Sequence, residues 1–161
     1  RFEGACPGVE VESIYEEEIV LAVRADVLSK AMGTEPEAAA KTLSEEGIGA
    51  LKKCPFILGS VDDISGRVAY SELRNAGIKP HVVATSGNMP TLLTLCAEGL
   101  GAVFCPTDML DASPMVSGDL LRIPLSSQAR YTIELGIPMR SERWQVVDAF
   151  RRILLEVTSA K

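Results

Sequence analysis

Short apolar runs of strand length alternate along this chain with stretches whose apolar residues recur every three or four positions. The runs fall at residues 19–23, 56–59, 78–84, 101–105, 120–125 and 131–137. Residues 9–13 alternate apolar and acidic, as an edge strand does. Between the runs, the periodicity predicts a short helix over 26–32 and another over 34–46. Thr34-Glu35-Pro36-Glu37 has the form of a capping box for that second helix. Residues 48–54 form a short turn or helix. A third helix over 63–76 carries Ile64, Val68, Ala69 and Leu73 on one face, and Gly77 closes it. A fourth carries Met89, Leu92, Leu93 and Cys96, with Gly99 as its stop. A short helix at 108–111 follows. The last helix, capped by Ser141, places Trp144, Val147, Phe150, Leu154 and Val157 on its apolar side.

The order strand 56–59, helix, strand 78–84, helix, strand 101–105 is the core of an open α/β sheet with parallel strands. In such sheets ligands sit at strand carboxyl ends and helix amino ends. Two places qualify: Ser60, Asp62 and Asp63 after one strand, and Thr85, Ser86, Gly87 and Asn88 after the next. Their N–H groups and partial positive charge suit a small anion. The same side chains also serve simply as helix caps.

Composition narrows the function. At 161 residues the chain is one domain or two small lobes, and 47% hydrophobic content supports a real core. A net charge of −6 without clustered Lys and Arg makes it a poor nucleic-acid binder by itself. No run of about 18 apolar residues predicts a membrane span. The first residues, Arg-Phe-Glu-Gly-Ala-Cys-Pro, do not form a signal peptide. Cys6, Cys54, Cys96 and Cys105 form no Cys-x-x-Cys pair, and His81 is close to none of them in sequence, so no metal is expected. They read as buried thiols in a reducing cytoplasm; the sharper alternative is a reactive Cys105 at a strand end. Glu16, Glu17 and Glu18 read as a solvated charge run. His81 reads as a satisfied strand histidine.

Dinucleotide, phosphate-loop and nucleophile-elbow motifs are absent. Gly99-Leu100-Gly101 follows a helix and reads as a stop plus a tight turn. Nothing assembles a nucleophile, a base and an orienting group, so neither an enzyme nor a cofactor is expected.

With these residues in place, the chain resembles the effector-binding domain of LysR-type transcriptional regulators. Glu17-Glu18-Ile19-Val20-Leu21-Ala22-Val23 is similar to the family's strand leading into its second subdomain. Cys54-Pro55-Phe56-Ile57-Leu58 is similar to its Pro-Phe-Ile strand. The stretch from Leu92 through Ala97-Glu98-Gly99-Leu100-Gly101-Ala102-Val103-Phe104-Cys105-Pro106 resembles its most specific signature. Asp119-Leu120-Leu121-Arg122-Ile123-Pro124-Leu125 and an amphipathic terminal helix fit its ending. The family's His-Pro pair is replaced by Asp26-Val27-Leu28, and the helix at 34–46 is a local expansion.

The resemblance implies an α/β architecture of the periplasmic-binding-protein type 2 kind: an open Rossmann-like sheet with flanking helices. Residues 24–125 would be subdomain II, complete. Residues 1–23 and 126–161 would be a partial subdomain I, truncated on its N-terminal side. It implies a small effector, a carboxylate, in an inter-subdomain cleft lined by Leu58, Gly59, Ser60, Thr85, Ser86, Asn88, Phe104 and Cys105. Phe104 would pack against the effector's apolar part. DNA would be contacted only through a winged helix-turn-helix absent from this sequence. A cytoplasmic homodimer or tetramer is implied, with no membrane contact. The alternative is a solute-binding protein of a transport system on the same fold.

Overall fold

The computed structural model describes residues 7–114, 120–125, 129–139 and 145–158. The expected cap Ser141, Trp144, the connector at 126–128 and Cys6 lie outside the described residues. Elements run in the order β1 (Val9–Arg24), α1 (Ala25–Met32), α2 (Pro36–Glu46), a 3-10 turn (Gly47–Leu51), β2 (Pro55–Leu58), α3 (Ile64–Asn75), β3 (His81–Thr85), α4 (Met89–Ala97), β4 (Ala102–Pro106), α5 (Thr107–Asp111), β5 (Leu120–Pro124), β6 (Arg130–Pro138) and α6 (Gln145–Thr158). They gather into two compact units: Glu18–Ala129, and Arg1–Glu17 with Arg130–Lys161.

In the unit Glu18–Ala129 the strand order is β3-β2-β4-β1-β5. Strand β2 pairs in parallel with both β3 and β4, as the strand–helix–strand pattern requires. Strand β1 runs antiparallel between β4 and β5, with Leu21 opposite Phe104 and Ile123. The chain thus leaves β2 toward one neighbour and later crosses to the other. Right-handed crossovers in opposite directions put their helices on opposite faces of a sheet. The side chains agree. Val20, Ala22, Ile57, Val103 and Cys105 form one buried cluster with Leu92, Leu93 and Cys96 of α4. Alternation sends Phe56 and Phe104 to the other face, where their rings stack at 6.4 Å between centroids.

Two glycines are dictated by close approach. A Cβ on Gly101 would lie 2.7 Å from the Pro55 carbonyl oxygen, so only glycine lets β4 start beside β2. A Cβ on Gly66 would lie 1.8 Å from the Ser60 carbonyl oxygen, which the first turn of α3 overlies. Arg24 ties the end of β1 to other elements. Its Nη1 donates to the Ala97 carbonyl at 2.9 Å, and the guanidinium pairs with Asp26 at 2.7 Å.

Several expectations are corrected. Residues 9–13 and 19–23 belong to one 16-residue strand rather than two. Glu17 is therefore not solvated: a continuous pleat turns it inward, where it is 5% exposed and engaged. Thr34 does not cap α2. Pro36 is the first helical residue and forces its predecessor into extended backbone, so Glu35 takes the cap position at φ −69°, ψ 152°, with no side-chain cap bond. On α3 the buried stripe is Ser65, Gly66, Ala69, Glu72 and Leu73, while Ile64 and Val68 are half-buried.

In the other unit, β6 pairs with β1, and Arg151 of α6 clamps Glu12 with Nη2 to Oε1 at 2.8 Å. That contact holds the Glu12 carboxyl below the usual carboxylate range. No residue of α6 is buried among the described ones, and Phe150 and Val157, expected on its apolar side, are more than half exposed. Among the described residues no helix is long and apolar enough to cross a membrane.

Candidate functional site

Strands β2 and β3 are neighbours, and the helices that follow them leave toward opposite faces. Such a pair opens a crevice outside its carboxyl ends. Leu58, Gly59 and Ser60 stand at the end of β2, and Thr85, Ser86 and Asn88 at the end of β3. The two ends touch, because the Ser86 N–H donates to the Leu58 carbonyl at 3.3 Å. Six of the eight residues expected from the sequence are brought together this way.

The β2 side is acidic. Asp63 caps α3: its Oδ1 accepts the Gly66 N–H at 2.6 Å, a cap worth about 1 kcal/mol. A Cβ on Gly59 would lie 2.9 Å from the Asp63 carboxylate, so glycine is what leaves room for it. The Ser60 hydroxyl accepts the Asp62 N–H at 3.1 Å and donates to the Asp62 carboxylate at 3.3 Å.

The β3 side is neutral and open. Asn88 caps α4, its Oδ1 accepting from the Thr91 N–H and hydroxyl, both at 3.0 Å. Pro90 sits in the first turn, where no intrahelical acceptor exists for its missing N–H. The Ser86 hydroxyl accepts the Asn88 N–H at 3.1 Å. Among the described residues, the Thr85 hydroxyl and the N–H groups of Gly87 and Met89 have no hydrogen-bond partner. Thr85 and Asn88 are exposed and Ser86 is half-exposed.

Phe104 and Cys105 are placed differently. Both lie in β4, on the far side of β2, with side chains 2% and 0% exposed. Phe104 packs on Phe56, and Cys105 belongs to the core under α4. Leu58 is likewise buried, at 1% exposure. These three side chains reach no solvent.

Burial also decides the thiol chemistry. It pushes Cys54 up to about 11 and Cys96 and Cys105 up to about 12, from an ordinary 9.0. Nothing therefore supports a thiolate at Cys105 near neutrality. A thiol pKa raised by folding stabilises the native state fully below the unfolded value and loses that contribution as pH rises through the folded one. Native protein at pH 8 is expected to leave these three thiols unalkylated by iodoacetamide, and stability should decline above about pH 9. Rapid labelling of Cys105 in folded protein would contradict both statements. Among the described residues no cluster of His, Cys, Asp or Glu could hold a metal ion. His81 is exposed on the edge strand.

Sequence reasoning missed the Arg24 anchor on α4, whose only signal is an arginine directly after an apolar strand. It also missed a groove at the α3–β3 turn.

An open mixed α/β sheet with flanking helices is the architecture of a domain of the periplasmic-binding-protein type 2 kind. The sequence matches the family described as LysR substrate binding domain over residues 3–159, and the chain belongs to that family. It is an effector-binding domain of the LysR type, from regulators of transcription. Solved structures share the fold at low identity. The regulatory domain of CcmR from Synechocystis PCC6803, in complex with 2-PG, is 14% identical with a TM-score of 0.67, covering 97% of this chain and 70% of that one. The effector-binding domain of QuiR in complex with shikimate is 12% identical with a TM-score of 0.64, covering 96% and 68%. Full-length CbnR complexed with its target DNA is 16% identical with a TM-score of 0.62, covering 98% and 51%. No curated protein matches the sequence.

Proposed function

We propose that this chain senses a small carboxylate for a DNA-binding transcriptional regulator, and that the carboxylate sits at the β3–α4 end of the crevice. The observation that carries the reading is the junction of β2 and β3, where Ser86 bonds to Leu58 and the helix start beyond it is uncharged. An anion at the β2 side would face Asp62 and Asp63. At the β3 side it meets the Thr85 and Ser86 hydroxyls, the Asn88 amide and the free N–H groups of Gly87 and Met89. A helix amino end adds favourable partial charge there. Ser60 and the backbone of Gly59 then serve the effector's neutral hydroxyl groups.

Effector binding shifts the balance between conformations, and a separate DNA-binding domain of the regulator reads the shift out on DNA. The two compact units correspond, on this reading, to the family's subdomain II and part of subdomain I. Self-association into dimers or tetramers belongs to the same reading. That CcmR and QuiR structures hold 2-PG and shikimate is the support for an acidic ligand class.

A thermal-shift screen of small hydroxy and aromatic carboxylates tests it, repeated on Thr85→Ala and Ser86→Ala. The hit should raise Tm, and each variant should weaken its affinity about tenfold, the order expected for losing one hydrogen bond to a charged group. A hit whose stabilisation survives both changes would place the carboxylate elsewhere.

A further inference from the structure

The opposite end of the same parallel strands carries a feature that effector sensing does not use. Where α3 turns into β3, a groove of about 550 Å³ is floored by Leu73 and Ile78 and walled by Tyr70 and Pro80. Arg74 and Lys79 complete its lining. No aspartate or glutamate lines it. Glu72, on the same helix, is buried and engaged and is not among the lining residues.

The charge of this region is unlike that of the rest of the chain. The protein carries 22 acidic residues, yet residues 73–97 contain none. Among the described residues, the side chains of Arg74 and Lys79 have no ion-pair or hydrogen-bond partner, as is also true of Lys30, Lys52, Lys53 and Arg152; what sets this pair apart is that both line one groove in a stretch without acids. The helix dipole accounts for one cation in the last turn of α3, namely Arg74. It does not account for Lys79, which lies beyond the turn. Nor does the helix end need a side chain to close it. The Gly77 N–H donates to the Arg74 carbonyl at 3.0 Å and the Ile78 N–H to the Leu73 carbonyl at 2.8 Å, with Gly77 at φ +66°.

We propose that the α3–β3 groove is a second binding site, separate from the crevice, for a small aromatic carboxylate. The apolar floor and Tyr70 take the ring, and Arg74 and Lys79 take the carboxylate at the rim. The volume is within the range of small-molecule sites, and such sites combine an apolar lining with a few charged groups that fix orientation. The site lies at the amino end of β3, whereas the crevice lies at its carboxyl end, so the two do not share a residue. The inference stands whether or not the crevice holds an effector.

Titration of 15N-labelled full chain with 3-phenylpropionate and with its neutral analogue 3-phenylpropionamide tests the proposal. The acid should give saturable amide shifts within residues 70–80 and bind about tenfold more tightly than the amide. In Arg74→Gln/Lys79→Gln, whose side chains are exposed, Tm should be unchanged and the preference for the acid should fall below about threefold. Thr85→Ala should leave the groove's affinity untouched. Three results would overturn the proposal: equal affinity for acid and amide, an acid preference that survives the double variant, or no saturable shift in residues 70–80 up to about 10 mM probe.

Discussion

Gly66→Ala is expected to lower the unfolding free energy by about 3 kcal/mol or more, the upper range for forcing volume into a packed site. The added methyl would lie 1.8 Å from the Ser60 carbonyl oxygen and 2.6 Å from its carbon. The obstacle is backbone, so no rotamer change relieves it. Either α3 moves away from the sheet or the Gly59–Asp63 loop does. Both displacements detach Asp63 from the Gly66 N–H, and a shift of the loop also moves Ser60 at the end of β2. The variant should therefore lose effector binding together with stability, as read by urea unfolding and the ligand-dependent Tm shift. A stability change under about 1 kcal/mol would show that this helix start is more pliable than its packing indicates. Alanine is ordinarily the better helix former, so intrinsic propensity predicts the opposite sign.

Phe104→Ala should cost about 3–5 kcal/mol, as for other fully buried aromatic truncations. The ring is 2% exposed and stacks on Phe56, and it lies over the strand pair that holds β4 against β1. Chemical denaturation measures that loss directly. The informative contrast is with Thr85→Ala, which touches an exposed hydroxyl and should change affinity while leaving unfolding within about 0.5 kcal/mol. If Phe104→Ala instead lowered affinity with little loss of stability, the ring would be facing ligand, and the core packing described above would be wrong.

The element sequence of the central unit is legible because periodicity, glycine stops and proline starts all point the same way between residues 55 and 106. Gly77 and Gly99 both take positive φ where the reading needs helix ends. The caps at Asp63 and Asn88 were also readable, since each precedes its helical stripe directly. Strand order was not. The pattern of 78–84 says strand, but only the tertiary arrangement puts β3 at the sheet edge, with Val82 and Val83 more than a third exposed. The acidic run hid the continuity of β1, because a charge cluster in sequence looks like an interruption. A pleat can bury one member and expose its neighbours. Ser60, Thr85, Ser86 and Asn88, the residues proposed for the site, were named through their place after strands. Phe104 and Cys105 were named for the same reason, but a strand buried on both faces presents no side chain to solvent, and position along the strand alone does not reveal that.

Strand β1 has a bearing on synthesis. Ile19 to Val23 sit between β4 and β5, yet those partners lie roughly 80 to 100 residues later in the chain. At about 5–20 residues per second, a ribosome would leave this apolar segment without its hydrogen-bonding neighbours for roughly 5–20 s. A sticky, unpaired strand is an invitation to chaperones and to other nascent chains. The three glutamates immediately before it then act as gatekeepers, their charge repelling like segments until Ala102–Pro106 emerges to close the gap.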